Sequence, residues 1–440
     1  MRRNGFFVHD LTSPISPKVT TISPPTHQEI AAEAFARCQE LGLATDSSKG
    51  LTRLFLTPAM KRAHDMLRVW MKDAGLIVRV DDVGNMIGRR AAADRNAPIF
   101  IIASHIDSVP NGGLYDGPLG VMLGVATAKA LREEPLPFHL DVIAFSEEEG
   151  VRYRAPFIGS KAIAGCLDVA LLDRIDSAGV SMRQAIDCYG LNASAIPRCV
   201  YQHEKIMGYL EAHIEQGPVL QRLGQPVGVV TTIAGQRRWR VVFDGRAAHA
   251  GTTPMSMRQD ALVGAAALIS FVNGYAKSQP GLVATVGSLH VQPGAINVVP
   301  DRVELTLEFR HAEGDVLETT ANEFREAARH IAAAHKLEHT ISTLSEAEQV
   351  PMNPALTEML AAVAGENVPQ LVSGAGHDAM IMASVCPVTM LFVRCKDGIS
   401  HHPDESVEVE DVAAALTVMV NFLRTYSASA IGGVTIRADQ

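Results

Sequence analysis

The chain has 440 residues, 47% of them apolar and 20% charged, and carries a net charge of −9. That length exceeds what one compact core holds, so two domains are expected, and the apolar share excludes a disordered chain. No run approaches the roughly 18 uninterrupted apolar residues of a membrane span, and an acidic balance without clustered Lys and Arg offers nucleic acid or anionic lipid no footprint, which leaves a small molecule as the expected partner.

In chain order, Met1-Arg2-Arg3 is followed by a Pro/Ser/Thr-rich stretch without an apolar h-region. Residues 1–26 therefore read as a flexible tail rather than an export signal. From Glu29 to Gly75 the apolar spacing is helical, and beyond it short apolar runs alternate with helical stretches, the pattern of an α/β domain on a largely buried sheet. Two predicted strands matter most. Ile99–Ala103 runs into Ser104-His105-Ile106-Asp107, and Leu140–Phe145 runs into Ser146-Glu147-Glu148-Glu149-Gly150. Ligands of open α/β sheets gather beyond the carboxyl ends of strands, which is where both polar clusters fall.

Between about Thr231 and Ser345 the texture changes. A strand (Arg237–Phe243), a helix (Met257–Ala276), two strands (Leu282–Val291, Arg302–Arg310), another helix and a last strand (His339–Leu344) spell βαββαβ, a ferredoxin-like unit. After Pro351 and Pro354 the α/β texture resumes. The expected architecture is a mixed-sheet α/β catalytic domain over residues 27–230 and 348–440, interrupted by a smaller α+β domain over 231–347 whose crossovers act as hinges. Six cysteines without CxxC spacing fit buried thiols in a reducing compartment, so a cytoplasmic location is expected.

His105 and Asp107 are spaced so that the carboxylate can accept the other ring N–H and fix the tautomer that faces a metal. Asp116 sits in the loop Val109–Gly120, rich enough in Gly and Asn to turn sharply and aim a carboxylate inward. The plain alternative is a surface turn with a capping Asp. Glu147, Glu148 and Glu149 follow a buried strand and repel one another unless a cation or proton compensates. One can bind metal while its neighbour works as general base and acid; a solvated acidic loop is the alternative. His213 in Glu211–Pro218 and His401-His402 in Ile399–Glu405 also lie near apolar strands. With His105, Asp116 and Glu149 they make a set of imidazoles and carboxylates that suits two Zn²⁺ or Mn²⁺ ions rather than Ca²⁺.

These motifs resemble the amidohydrolase branch of the zinc aminoacylase and carboxypeptidase superfamily, which includes allantoate amidohydrolase, N-carbamoyl-L-amino-acid hydrolase and β-alanine synthase. The similarity is carried by SHIDSVPNGGLYDGPLGV (104–121), FSEEEGVRY (145–153), GSKAIAG (159–165), EAHIEQGPVL (211–220), GRAAHAGTTPM (245–255), NVVP (297–300), SGAGHDAM (373–380) and GISHHPDE (398–405), and spans about residues 29–425. The resemblance implies His105, Asp116, Glu149, His213 and His401 as ligands of two divalent ions, with Asp116 bridging, Glu148 as general base and Asp107 supporting. Peptidase relatives carry a carboxylate at the position of His213. His402 departs from the branch, where Asn, Cys or Ser usually stands, and the ligand is assigned to His401 by its place after Ser400.

For the substrate the resemblance implies Gln216, His249, Asn297, Arg310 and Gly376. Arg310 offers a fork for a carboxylate, His249 a donor to an oxyanion, and Asn297 amide groups for a ureido group. It also implies a homodimer formed through the inserted lid domain, with His249 reaching into the partner's site. Ile233–Arg237, Ser373–Met380 and Leu391–Cys395 look closest to allantoate amidohydrolases, so hydrolysis of allantoate to ureidoglycine, ammonia and CO2 is the first expectation. N-carbamoyl-L-amino-acid hydrolysis is the near alternative. A dipeptidase or aminoacylase, and a non-catalytic metal-dependent binding module on the same fold, stand further off.

Overall fold

Thr26 opens the first helix with a reciprocal cap: its hydroxyl accepts from the Glu29 N–H while the Glu29 carboxylate accepts from the Thr26 N–H (2.7 Å). The computed structural model describes residues 25–431, so the tail expected over residues 1–26 lies outside the described residues apart from Pro25 and Thr26. The helical stretch expected from Glu29 to Gly75 is two helices, His27–Leu41 and Pro58–Asp73. Between them Gly42 and a run of short polar side chains stop the first helix. The Thr45 hydroxyl donates to the Gly50 carbonyl (2.8 Å) and accepts from the Thr52 N–H (2.9 Å), bonding that competes with helical turns. The loop so formed delivers a fully buried Arg53, whose Nε donates to the Ile106 carbonyl (2.6 Å).

The fold is mixed α/β. A nine-stranded sheet runs Ile77–Val80, Met86–Arg90, His139–Phe145, Ile99–His105, Ile206–Ile214, Val388–Val393, Val227–Ile233, Val350–Pro351, with Gln370–Ser373 also pairing Val227–Ile233. Its four central strands, His139–Phe145, Ile99–His105, Ile206–Ile214 and Val388–Val393, are mutually parallel. Every residue of Ile99–His105 and His139–Phe145 is buried, as apolar strands covered on both faces must be. Pro118–Ala130 packs one face with His27–Leu41 and Val409–Ile431. The one carboxylate inside Ile99–His105 and His139–Phe145, Asp141, is matched by Arg89 (2.6 and 2.7 Å) and the Tyr201 hydroxyl (2.7 Å).

Gly235–Ala347 forms a second, four-stranded antiparallel sheet in the order Glu338–Ala347, Gly235–Asp244, Arg302–His311, Val283–Gln292. Helices Ala261–Ser278 and Gly314–His335 cover one face, against Trp239, Val241, Phe243, Leu305, Leu307 and Phe309. Strict alternation along Arg302–His311 turns Glu304, Thr306, Glu308 and Arg310 to the other face, away from that core. All six cysteines are free, but Cys166 and Cys188 are exposed, which corrects the expectation of buried thiols. They lie beside a helix C-terminus and on a short surface helix, where thiols meet solvent. Among the described residues no helix is long and apolar enough to cross a membrane.

Candidate functional site

The parallel strands all end on one edge of the sheet, and each hands a polar side chain to the same place. His105 is the last residue of its strand and pairs with Phe145, two residues before Glu147. His213 is next to last in Ile206–Ile214, and His401 follows Val388–Val393. Asp116 arrives through the loop before Pro118–Ala130, which turns at Gly117 with φ of 82°. A Cβ there would stand 2.5 Å from the His105 ring, so only glycine lets this backbone pass.

Asp116 is the centre. Its Oδ1 lies 3.1 Å from His213 Nε2 and 3.4 Å from His105 Nε2, and those two ring nitrogens are 3.4 Å apart. Its Oδ2 lies 3.3 Å from His401 Nε2, which in turn is 3.4 Å from Glu149 Oε1. Two donor triads, His105-Asp116-His213 and Asp116-Glu149-His401, therefore share one carboxylate. His402 points elsewhere, its Nδ1 accepting from the Asp404 N–H.

The tautomers test whether a cation fits. His213 Nδ1 faces the Ile214 carbonyl at 2.9 Å and His105 Nδ1 faces Asp107 O and Oδ1, both at 3.3 Å, so each Nδ1 carries the proton. A neutral ring then presents a bare lone pair at Nε2. With both rings neutral, two such lone pairs and a carboxylate oxygen converge, an arrangement satisfied by positive charge at the centre, whether protons on the rings or a metal ion. Burial alone would lower the pKa of His105, but Asp107 and Asp116 outweigh it and hold it well above the ordinary value. In His213 burial is likewise overcome by Asp116. His401 is held up to about 10 by Asp116 and Glu149. Asp116, despite burial, is held well below the carboxylate range by the three imidazoles. Three nitrogens with carboxylate oxygens are the borderline donor set of zinc or manganese.

The glutamate triplet divides its labour. The backbone N–H groups of Glu148 and Glu149 donate to Asp107 Oδ1 (3.0 Å) and Oδ2 (3.1 Å), so Asp107 anchors both the His105 ring and the acidic loop. Glu148 stands in the cavity wall. Burial, opposed by His105 and reinforced by Glu149, pushes its carboxyl well above the usual range. Glu147 is buried behind the cluster, where burial and then Asp107 push its carboxyl up as well. The triplet is no solvated loop.

The cavity, about 300 Å³, is lined by these groups together with Gln216, Gly376 and Arg310. Gln216 Nε2 donates to Asp116 Oδ2 (2.8 Å), and Ser400 Oγ bonds the same oxygen. Gln216 and His401 both hold left-handed backbone (φ of 56°), strain that persists where the surroundings impose it. A Cβ on Gly376 would press the Phe157 ring at 3.1 Å. The fork of Arg310 is already engaged: Nε and Nη2 meet Glu308 Oε1 (2.8 and 2.7 Å), and Nη1 meets the Gly374 carbonyl. His249 and Asn297 lie outside this cavity, exposed on the short ribbon that pairs Ala248–His249 with Val298–Val299. His249 Nδ1 accepts from the N–H groups of Gly251 (3.1 Å) and Thr252 (3.2 Å), which puts its proton on the outward Nε2.

Two supporting residues escaped the sequence reading of roles. Glu405 accepts from the N–H groups of Tyr115 (2.7 Å) and Asp116 (3.0 Å), with burial and then Asp116 pushing it up to about 7. His377 is buried edge-on against the His213 ring, centroids 4.5 Å apart, and bonds Ser373 Oγ (2.8 Å). Both sat inside quoted motifs, but nothing in spacing tied them to Asp116 or His213.

Known proteins resemble this chain over most of its length. The description of peptidase family M20/M25/M40 matches residues 101–425. The chain is 39% identical over 394 residues to an N-carbamoyl-L-amino acid amidohydrolase of Geobacillus stearothermophilus, covering 87% of this chain and 95% of the relative. It is 38% identical over 436 residues to an allantoate deiminase of Arabidopsis thaliana, covering 91% and 83%. A crystal structure of an amidase of the hydantoinase/carbamoylase family from Burkholderia multivorans superposes with a TM-score of 0.84 at 33% identity, covering 90% of this chain and 98% of that one.

Proposed function

Because the chain belongs to peptidase family M20/M25/M40, we propose that it is a hydrolase that uses two divalent ions to cleave a ureido C–N bond in a small carboxylate, with allantoate the first substrate. The observation that carries this reading is Asp116 shared between two donor triads, with Glu148 beside them in a third group with His105 and Glu149. Held by His105, Asp116, His213, Glu149 and His401, zinc or manganese ions would polarise the ureido carbonyl and bring the pKa of water down to about 7.

The remaining work falls to the chain. Glu148 takes the proton of the attacking water and returns it to the leaving nitrogen, a task suited to a carboxyl whose proton affinity is raised. Asp107 fixes the backbone of that base and the tautomer of His105. His249 donates from Nε2 to the developing oxyanion. Since it lies outside its own cavity, it acts in the site of a second copy, with the inserted domain forming the dimer. Gln216, Arg310 and Gly376 line the cavity that takes the substrate, Asn297 joins His249 from the second copy, and a ureido group releases ammonia and CO2 with the amine.

N-carbamoyl-L-amino acids are the second reading, supported by a relative so named at 39% identity beside the allantoate deiminase at 38%. Metal-stripped protein reloaded with Zn²⁺ or Mn²⁺ and assayed for ammonia release decides between them. A higher kcat/KM for allantoate supports the first reading. Turnover of dipeptides alone, or metal uptake with no hydrolysis of any substrate, overturns both.

A further inference from the structure

The parallel strands have a second end, and it is charged the other way. Ile99 and His139 are the first residues of their strands and pair with each other, and Ile206, the first of the next strand, pairs with Ile99. A strand of seven residues at about 3.3 Å per residue puts this edge roughly 20 Å from His105. It opens into a cavity of about 280 Å³ whose wall carries Arg79, Arg89, Arg95, Arg198 and Lys205, no two of them adjacent in the sequence. The wall is preformed. The buried His139 ring accepts the Ala92 N–H at Nδ1 (3.0 Å) and faces the Arg95 carbonyl with Nε2 (3.3 Å), so it holds the loop that presents Arg95. Tyr201, also buried, donates to Asp141 (2.7 Å) and receives Arg79 at its hydroxyl (3.2 Å) and over its ring. Among the described residues no acidic side chain lines the cavity, and Asp141 behind it is taken by Arg89 through both oxygens. Arg95, Arg198 and Lys205 are exposed, and among the described residues their side chains pair with no carboxylate.

Like charges gathered around one concave space repel one another unless an anion sits among them, and the walls of a cleft focus the field they make. In a chain of net charge −9 such a grouping runs against the general balance. We propose that this cavity binds a small molecule bearing two phosphate groups, at a site separate from the metal centre. A carboxylate brings one charge and two oxygens, enough for a single guanidinium fork. A phosphate group brings about 1.5 to 2 negative charges and three acceptor oxygens. Two such groups match the arginines and the lysine of the wall, arginine engaging phosphate through its planar fork and lysine as a point charge. Nucleic acid is met by a stripe of cations that follows its backbone, whereas these cations enclose a compact space.

The test is equilibrium dialysis of radiolabelled pyrophosphate against the metal-loaded protein at physiological ionic strength. Pyrophosphate is also drawn to divalent ions, so the reading is the part of the binding that responds to the cavity wall. Arg95→Ala, Arg198→Ala and Lys205→Ala should each weaken that part about 10-fold. Arg198→Lys, which keeps the charge and loses the fork, should weaken it less. The three positions are exposed and read independently, so a fold defect at one does not decide the outcome. Inorganic phosphate should bind at least about 10-fold more weakly than pyrophosphate, because it meets fewer of the cations. Equal binding by the wild type and all three alanine variants puts pyrophosphate on the metal ions alone and overturns the proposal. So does displacement by sulfate as readily as by unlabelled pyrophosphate at matched ionic strength, the mark of mere screening. Capture of single-stranded RNA with none of pyrophosphate overturns it as well, since the cations would then serve a polymer.

Discussion

Replacing Asp107 with Asn should weaken one metal site more than the other. Asp107 Oδ1 accepts from the Glu148 N–H and faces His105 Nδ1, while Oδ2 accepts only from the Glu149 N–H. Asparagine keeps one oxygen and puts an NH2 group in place of the other, against a donor. The cheaper orientation leaves the oxygen at the Oδ1 position, so the Glu149 N–H loses its acceptor, at a cost of about 1.5–3 kcal/mol for a buried bond to a charged group. The Glu149 loop loosens, and the triad it serves is Asp116-Glu149-His401. Loss of such a support typically lowers metal affinity by about 10- to 100-fold, or about 1.4–2.7 kcal/mol at 1.36 kcal/mol per tenfold, the same scale as the lost bond. Competition with a chromophoric chelator should show two binding steps in the wild type. In Asp107→Asn the step also abolished by His401→Ala should weaken by that factor, and the step abolished by His213→Ala should move less. Equal weakening of both steps, or of neither, refutes the reasoning.

Glu148→Gln should keep both metal equivalents yet lose about 10²–10⁴ in kcat, the usual share of a general base; near-normal turnover in metal-replete protein would remove Glu148 from that role. His249→Ala should lose about 10²–10³ in kcat, and mixing it with Glu148→Gln subunits should restore activity, since a hybrid dimer holds one site with both groups; no restoration after subunit exchange would place His249 in its own chain's site. His401 is raised from 6.5 to about 10 in the folded chain. A raised pKa adds stability that is complete below the unfolded value and fades as pH climbs through the folded one. Metal-stripped protein should therefore lose urea resistance between pH 6.5 and about 10, and metal-loaded protein, whose imidazole is a neutral ligand, should lose less; parallel curves would contradict the pairing.

Apolar runs that break abruptly into polar clusters made the strand ends legible, because a buried strand can change character only where it leaves the sheet. Ile99–His105 and His139–Phe145 fall within two residues of the expected strands for that reason. The gap between His27–Leu41 and Pro58–Asp73 was hidden, since apolar residues keep a helical spacing through a loop held by the hydroxyl of Thr45. Side-chain partners were the least legible. Gln216 and Ser400 bond Asp116, and Glu405 takes its backbone N–H, from positions at least 100 residues away. Periodicity gives a residue its face but not its register, so Arg310 could be read as an open fork although its strand neighbour Glu308 already fills it.

The two sheets divide the site along that same line. Groups that hold metal or carry protons leave the carboxyl ends of buried parallel strands, where the backbone is fixed by neighbours on both sides. Gln236, Arg238, Glu308 and Arg310 stand on the open face of the second sheet, spaced two residues apart on paired strands. Exchanging side chains at the strand ends disturbs Asp116 and every ring that faces it, so such changes should appear in metal content and kcat. Exchanging Gln236 or Arg238, which line the cavity from the second sheet, disturbs one carboxylate brace at most and leaves the bonds around Asp116 in place.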